Sequence, residues 1–389
     1  MAKQKIAIFT YSLLGGGAER VVSNLLLGLQ SDFDVHLILM NDIIDYPIPE
    51  NQKIHYIENS DMYESEWKKL IKIPILALRL KKYCNQNQIE LILAVMNRPN
   101  YIASLAKALG MKCRVYISER FYTPFFCNKN SFGGKVKVFL VSNLYPKADI
   151  LLPNSKGTEK ALKEIFQVQI PSIVVKNPVD VTFIRQKMNE EVTDVDFNQF
   201  TFVCLAAFRF EKNHEMLIDA FAKLKNENCR LLLIGKGILK EKIQKKVDEL
   251  GLKEKIHFIE FTRNPYKYLV KANCFVLPSN SEGFPNVLLE AMCCELPIIS
   301  SDCRTGPREL LAPNTDVNKQ LEKGIEMGEY GILTVPANAD SMAEAMKSAF
   351  ENPALLEQYK SLLLQRAKEF DKPVVIEEFK QILMGKSIV

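Results

Sequence analysis

The chain has 389 residues, of which 47% are hydrophobic and 25% are charged. This length exceeds one typical domain, so two globular domains of about 150–200 residues are expected, each large enough for its own core. A formal net charge of +5 is too small to indicate a nucleic-acid partner, and the spacing of the nine cysteines and four histidines is not that of a zinc site.

In the first part of the chain, short apolar runs alternate with amphipathic stretches. Strands are predicted at residues 5–10, 35–40, 91–95, 114–118 and 150–152. Helices are predicted at residues 18–29, 67–83 and 101–109. The strands are apolar throughout, which is typical of a parallel sheet covered on both faces. The pattern therefore predicts a doubly wound α/β domain.

The pattern then begins again. Strands are predicted at residues 202–206, 230–234, 257–259, 274–277 and 297–300, and helices at residues 215–225 and 240–250. The polar segments 177–180 and 190–198 separate the two series and predict a linker. We predict an α/β protein with two Rossmann-like domains that face each other across a cleft.

The predicted domains comprise residues 1–178 and residues 179–373. A last helix begins after Pro373, within residues 374–389. Its pattern fits a helix that caps the second domain as well as one that returns to the first. We predict that it returns to the first domain.

The segment 281–291 carries the most informative motif. It places Glu282 beside a glycine in a loop and Glu290 in a predicted helix, with seven residues between them. A loop that leads into a helix offers backbone N–H groups and a positive dipole to an anion. Carboxylates beside such an anion site suit the hydroxyls of a sugar or ribose. The segment therefore indicates a nucleotide-sugar site.

Two cations follow the first strand of the second domain. Arg209 and Lys212 stand three residues apart at a strand's carboxyl end, where open α/β sheets bind ligands. They would neutralise a diphosphate leaving group, although a solvated loop gives the same pattern.

Three glycines, Gly15, Gly16 and Gly17, follow the first strand of the chain and open a helix. They fit a phosphate-binding loop and a tight strand–helix turn equally well. The dinucleotide fingerprint GxGxxG is not met, which disfavours a dehydrogenase.

Residues 67–83 are apolar and basic together, and they include Lys68, Lys69 and Lys72. Such a segment fits the face of an anionic membrane. It fits equally well a helix whose apolar side packs on the sheet while the lysines are solvated. No apolar run reaches the roughly 18–20 residues of a membrane-spanning helix.

Two Asp-x-Asp pairs, at residues 32–34 and 194–196, do not follow a central strand. We therefore expect no metal site at either pair.

Three segments of the second domain together resemble the retaining family-4 glycosyltransferases, which have the GT-B fold. The segments are residues 208–214, 281–291 and 306–309. The resemblance implies that Glu282 contacts the hydroxyls of the transferred sugar and Glu290 the ribose. Arg209 and Lys212 would hold the diphosphate, and the catalytic set would be Arg209, Lys212 and Glu282. Further donor-binding residues would be Gly15, Gly16, Gly17, Gly283, Phe284, Pro285 and Asn286. Many relatives place a histidine of the first domain near the sugar, and the resemblance implies that Glu119, in the segment 118–120, substitutes for it on the acceptor side.

Three segments of the first domain narrow the resemblance to the N-acetylgalactosaminyltransferases of bacterial N-linked protein glycosylation. The segments are residues 18–23, 35–42 and 96–101. This implies UDP-GalNAc as donor and an undecaprenyl-diphosphate-linked glycan as acceptor, at the cytoplasmic membrane face, with no cofactor or metal. The alternatives are a lipopolysaccharide or capsule transferase that uses another UDP-hexose, a UDP-sugar epimerase or hydrolase of the same fold, and a non-catalytic scaffold.

Overall fold

A computed structural model of the protein describes residues 3–59, 64–127 and 131–386, with the side chains of Glu66 and Phe126 excepted. The chain divides into two compact units. Unit 1 runs from the start of the chain to Pro178 and resumes at Lys372, and unit 2 is Val179–Asp371.

Unit 1 is built on a six-stranded parallel sheet in the order β3-β2-β1-β4-β5-β6. Its strands are β1 Gln4–Thr10, β2 Phe33–Leu39, β3 Lys53–Tyr56, β4 Leu91–Val95, β5 Arg114–Glu119 and β6 Ile150–Pro153. Its helices are α1 Gly17–Leu29, α2 Glu66–Ile71, α3 Ile73–Asn87, α4 Asn97–Ala108, α5 Phe132–Leu144, α6 Lys156–Ile165 and α15 Lys372–Leu383.

The sheet of unit 1 is buried on both faces. Ala7 and Phe9 of β1 belong to one hydrophobic core, and Ile6 and Ile8 belong to another. Successive side chains of a strand point to opposite faces, so a central strand between two cores must be apolar at every position. This explains the continuous apolar runs in the sequence.

Unit 2 is built on a seven-stranded sheet in the order β12-β13-β11-β10-β7-β8-β9, parallel except for β12. Its strands are β7 Phe200–Leu205, β8 Cys229–Ile234, β9 Ile256–Ile259, β10 Cys274–Leu277, β11 Ile298–Ser301, β12 Ile325–Met327 and β13 Ile332–Thr334. Its helices are α7 Val181–Lys187, α8 His214–Ala222, α9 Lys240–Glu249, α10 Tyr266–Leu269, α11 Asn286–Cys293, α12 Pro307–Leu311, α13 Ala339–Glu351 and α14 Pro353–Lys368. The prediction of two doubly wound Rossmann-like sheets is confirmed.

The single helix predicted at residues 67–83 is wrong, because two helices occupy this segment. α2 ends at Ile71 and α3 begins at Ile73, with Lys72 between them in a helical conformation. Pro74 lies at the start of α3. Proline lacks an N–H and its ring clashes with the carbonyl four residues earlier, so a continuous helix is interrupted there.

The helix α15 packs on unit 1. Its buried residues are Val375, Ile376, Phe379, Ile382 and Leu383, and they join the same core as Ile6 and Ile8. Lys380 forms an ion pair of 2.7 Å with Asp32. The closest approach is at Gly28 of α1, where a Cβ atom would lie 2.7 Å from Cγ2 of Ile376.

We predict that Gly28→Ala destabilises unit 1 by about 1–2 kcal/mol. Alanine favours a helix over glycine by up to about 1 kcal/mol, but overpacking against the branched Ile376 costs about 1–3 kcal/mol. Urea denaturation followed by the fluorescence of Trp67, the only tryptophan of the chain, reports on unit 1. Gly133→Ala is the matched control, because a Cβ atom at this α5 position meets nothing within 4 Å. If Gly28→Ala is as stable as Gly133→Ala, the proposed packing contact is not tight.

Candidate active site

The sheet of unit 2 has a topological switch point between β7 and β10. From β7 the chain continues to β8 and β9 on one side, whereas β10 leads to β11 on the other. The loops that follow β7 and β10 therefore diverge and leave a crevice at the carboxyl ends of the strands. Two of the three predicted motifs of unit 2, residues 208–214 and 281–291, begin on these two loops.

An ion pair joins the two loops. The Nζ atom of Lys212 lies 2.5 Å from Oε1 of Glu282, and Oγ of Ser279 donates to the same carboxylate oxygen at 2.7 Å. Backbone contacts keep the loops in register, since the N–H of Asn280 donates to the carbonyl of Glu211 at 2.8 Å. The predicted residues Lys212 and Glu282 are thus brought together.

The local backbone turns Lys212 toward the crevice. A short 3-10 turn, Phe210–Lys212, ends at Asn213, which has a left-handed conformation with φ of 48°. Asparagine tolerates this conformation better than most residues. Its side chain caps α8 by accepting from the N–H of Met216, and it also donates to Asn280 at 2.8 Å.

The electrostatics of the pair favour the charged lysine. Burial acts to lower the pKa of Lys212, but the adjacent Glu282 carboxylate outweighs it, and the pKa lies above its ordinary value. Burial, followed by the positive charge of Lys212, lowers the pKa of His214 to about 3. The lysine is therefore charged beside a neutral imidazole at physiological pH.

The loop after β11 closes the crevice on a third side. Gly306 has φ of 88° and ψ of −61°, and a Cβ atom there would lie 2.4 Å from Cδ of Pro285. The hydroxyl of Thr305 donates to the backbone carbonyl of Glu282. The glycine thus lets this turn pack directly on the Gly283–Phe284–Pro285 backbone.

A buried charge network anchors that turn. Arg308 donates three hydrogen bonds to Asp302 and two to Glu326, with closest distances of 2.6 Å and 2.7 Å. Burial opposes the charge of Arg308, but its two carboxylate partners raise its pKa overall, and the guanidinium in turn lowers the pKa of Glu326. Arg308 and Asp302 are almost fully buried, so the network anchors the turn from the interior of unit 2.

Other predicted donor-site residues lie on the same loops. Arg209 is exposed at the start of the 3-10 turn. Phe284 is buried, Pro285 precedes α11, and Asn286 is the first residue of that helix. Glu290 is buried one turn further along α11.

The loop after β8 was missed by the sequence analysis. A Cβ atom on Gly235 would lie 2.2 Å from the carbonyl oxygen of Ala206, and one on Gly237 would lie 2.5 Å from that of Phe208. Both glycines therefore allow this loop to pack against the loop that carries Lys212. Lys236 between them lies over the ring of Phe261, at 4.3 Å. A Gly-x-Gly sequence directly after a predicted strand was the available signal.

The glycine-rich segment of unit 1 forms the start of α1. Gly16 is the N-cap residue, and a Cβ atom there would lie 2.3 Å from Oε2 of Glu19. The carboxylate of Glu19 therefore lies against the positive end of the helix.

Glu119 is fully buried at the end of β5. The hydroxyl of Tyr145 donates to its carboxylate at 2.6 Å, and the Asn97 amide, oriented to donate, lies 2.8 Å from the same oxygen. Burial raises the pKa of Glu119 to about 8, so it is largely protonated at neutral pH. The carboxyl group lies beneath the surface of unit 1.

The three predicted membrane lysines differ in their surroundings. Lys68 is exposed and Lys69 is partly exposed on α2. Lys72 forms ion pairs with Glu58 and Glu64, and these two carboxylates raise its pKa. The charge of Lys72 is therefore largely balanced within unit 1.

The Asp-x-Asp pairs lie in protein contacts. Asp34 pairs with Lys53, Asp32 pairs with Lys380, and Asp194 accepts from the hydroxyl of Tyr268. Within residues 3–59, 64–127 and 131–386, no three His, Cys, Asp or Glu side chains are grouped so as to hold a metal ion.

The arrangement in unit 2 suits an anionic leaving group next to a polyhydroxylated ligand. Lys212 and Arg209 supply positive charge, and Glu282 supplies a fixed acceptor for hydroxyl groups. Two doubly wound sheets with this kind of site define a GT-B glycosyltransferase.

Comparison with known proteins supports this class. The family described as glycosyl transferases group 1 matches residues 186–362. The solved structure of HepE from Anabaena in complex with UDP has a TM-score of 0.77 at 16% identity, covering 98% of this chain and 100% of that one. Sucrose-phosphate synthase from Thermosynechococcus elongatus has a TM-score of 0.81 at 17% identity, covering 98% and 99%. These likenesses establish the GT-B fold.

Two curated relatives come from Campylobacter jejuni. One is named N-acetylgalactosamine-N,N'-diacetylbacillosaminyl-diphospho-undecaprenol 4-alpha-N-acetylgalactosaminyltransferase, and it is 40% identical over 94% of this chain and 96% of its own length. The other, a GalNAc-alpha-(1->4)-GalNAc-alpha-(1->3)-diNAcBac-PP-undecaprenol alpha-1,4-N-acetyl-D-galactosaminyltransferase, is 26% identical over 80% and 83%. The chain belongs to the group 1 glycosyltransferases, and it is an enzyme of that class.

We predict that Gly306→Ala destabilises unit 2 by about 3 kcal/mol or more. Its backbone conformation strains any other residue by about 1–3 kcal/mol, and displacing Pro285 adds about 1–3 kcal/mol. Gly251→Ala is the matched control, since this glycine also has positive φ but nothing lies within 4 Å of its Cβ position. The control should lose only about 1–2 kcal/mol. Thermal unfolding followed by calorimetry measures both, and equal losses would contradict a packed Gly306 turn.

Proposed function

We propose that the protein transfers N-acetylgalactosamine from UDP-GalNAc to an undecaprenyl-diphosphate-linked glycan of the GalNAc-diacetylbacillosamine type. The new linkage would keep the α configuration of the donor. The observation that carries the transfer chemistry is the Lys212–Glu282 pair at the switch point of unit 2. The choice of sugar and acceptor rests on the 40% identity with the C. jejuni transferase along nearly the whole chain.

Each residue of the site has a role in this proposal. Glycosyl transfer passes through an oxocarbenium-like transition state while negative charge develops on the leaving diphosphate. Lys212 and Arg209 stabilise that charge, together with the backbone N–H groups of Gly283 and Phe284. Glu282 positions the sugar hydroxyls and Glu290 holds the ribose.

The contacts of Glu282 favour positioning over nucleophilic attack. One of its carboxylate oxygens already accepts from both Lys212 and Ser279. Charge-assisted hydrogen bonds of this kind stabilise the anion and reduce its reactivity toward carbon. We therefore favour a front-face substitution, in which the leaving diphosphate oxygen takes the proton of the acceptor hydroxyl.

The acceptor in this proposal is a membrane lipid, so the enzyme works at the inner face of the cell membrane. Among the helices of the described residues, none has the length and hydropathy of a membrane crossing. A peripheral association of the enzyme with the bilayer fits both the acceptor and this finding.

The test of the proposal is UDP release from a panel of UDP-sugars, with and without a short-chain lipid-diphosphate GalNAc-diacetylbacillosamine acceptor. We expect release that requires both UDP-GalNAc and this acceptor. Release with another UDP-hexose would replace the proposed donor. Release without any acceptor would overturn transfer in favour of a hydrolase, and conversion of one UDP-sugar into another without UDP release would favour an epimerase.

We predict that Lys212→Ala lowers the turnover number at least about 10²-fold but weakens UDP binding less than about tenfold. A cation that stabilises the developing charge acts mainly in the transition state. Lys212→Arg keeps the charge and should restore part of the activity, which separates an electrostatic role from a structural one. Steady-state kinetics and calorimetric UDP titration measure the two effects. Similar turnover for Lys212→Ala and the wild type would contradict the assigned role.

A further inference from the structure

Unit 1 carries an exposed apolar face on α2 and α3. Trp67, Ile71, Ile75 and Leu78 follow one another at spacings of four, four and three residues, which places them on one side of the two helices. Ile71 is 76% exposed and the other three are about half exposed, at 51–54%. Apolar residues at helical spacing normally face a core.

The core of unit 1 does not need these residues. A separate set on α3 packs inward, namely Ile73, Leu76, Ala77, Leu80 and Cys84. The segment is therefore apolar on two sides, and only one of them is covered by the sheet. The inward set accounts for the packing alternative that the sequence left open, and the exposed set is the one that bears on the membrane alternative.

The helix α5 extends the exposed face. Phe132 and Phe139 are 69% and 64% exposed, and their spacing of seven residues places them on one side of α5. The ring of Phe132 lies 5.4 Å from the ring of Trp67. We call the six side chains Trp67, Ile71, Ile75, Leu78, Phe132 and Phe139 the outer apolar face.

The surroundings of the outer apolar face are basic. From residue 67 to residue 89 the sequence has six Lys or Arg residues and no Asp or Glu. Lys68 on α2 and Lys135 on α5 are exposed next to the apolar side chains. Lys72 belongs to an internal ion-pair cluster with Glu58 and Glu64, so it is excluded from this set.

This combination matches an anionic bilayer. Large apolar side chains with tryptophan and flanking lysines lie in the headgroup region, where the rings reach the acyl boundary and the ammonium groups remain among the phosphates. A second copy of the chain would present the same positive charge to itself, which opposes self-association. The charge complementarity therefore favours an anionic lipid surface as the partner.

We propose that the outer apolar face inserts into the anionic membrane surface and that apolar burial holds the enzyme there. This proposal rests on the proposed function for its biological setting, since the acceptor is a membrane lipid. The flanking lysines add attraction that salt screens within about 8 Å at physiological ionic strength. Insertion of the apolar side chains is not screened, so binding should persist in part at high salt.

Trp67 makes the proposal directly measurable, because it is the only tryptophan of the chain and lies in the face itself. With vesicles of phosphatidylcholine and phosphatidylglycerol, we expect a blue shift of the emission and quenching by lipids brominated on their acyl chains. Binding to these vesicles without a shift or quenching would overturn insertion.

Variants then separate the apolar from the charged contribution. A triple variant removes three side chains of the outer apolar face: Ile71→Ser/Phe132→Ser/Phe139→Ser. It should lower the vesicle partition coefficient at least tenfold at both low and high salt. Lys68→Gln/Lys135→Gln should lower it mainly at low salt. Leu250→Ser/Leu362→Ser removes two exposed apolar residues of unit 2 and should leave the partition coefficient unchanged.

Two further measurements keep this inference distinct from the proposed function. The triple variant should retain UDP release with a water-soluble short-chain acceptor, because none of the three residues belongs to the site of unit 2. Full vesicle binding by the triple variant would overturn the outer apolar face even if the transfer activity stands. A wild-type dimer that dissociates in the triple variant, without any vesicle binding, would assign the face to self-association instead.

Discussion

The ion pair between Lys212 and Glu282 is the interaction on which the rest of the site depends. It joins the loops after β7 and β10 at the topological switch point of the unit 2 sheet, where the chain leads to strands on opposite sides. A half-buried ion pair is stable only where further hydrogen bonds compensate for the loss of water, and here the Ser279 hydroxyl provides one. The Gly306 turn and the Arg308 network hold the surrounding backbone in place. In the proposed function, the charges that would face the leaving group are thus fixed before any substrate arrives, as electrostatic catalysis requires.

The two units of the enzyme differ in the kind of surface that they present. Unit 2 concentrates paired charges on tightly packed, glycine-containing loops, where small displacements would break hydrogen bonds. Unit 1 presents an unpaired apolar surface whose side chains need no fixed partner. The proposed substrates, a soluble nucleotide-sugar and a lipid-linked acceptor, would make these contrasting demands, because the first is recognised by directional polar contacts and the second is found by partition into a surface.

Much of the fold was predictable because it rests on periodicity. The central strands are apolar at every position, and this signal predicted them with small errors at their ends. The edge strand β3 was missed because Lys53 and Ile54 are exposed and leave no apolar run. The break between α2 and α3 was missed although Pro74 marked it. In the site, Lys212 and Glu282 were predicted from their motifs. The network of Asp302, Arg308 and Glu326 depends on contacts among the end of β11, α12 and β12, which helical or strand periodicity does not encode.

The return of α15 to unit 1 has a consequence for how the chain folds during synthesis. All of Val179–Asp371 is made before α15, so unit 2 has its complete sequence while unit 1 still lacks a helix of its core. Until then, the surface of α1 that later contacts Ile376 and Phe379 is uncovered and prone to association. Unit 1 is therefore the first unit whose synthesis begins and the last whose sequence is complete. A nascent chain stalled before Lys372 would carry a complete unit 2 beside an open core in unit 1.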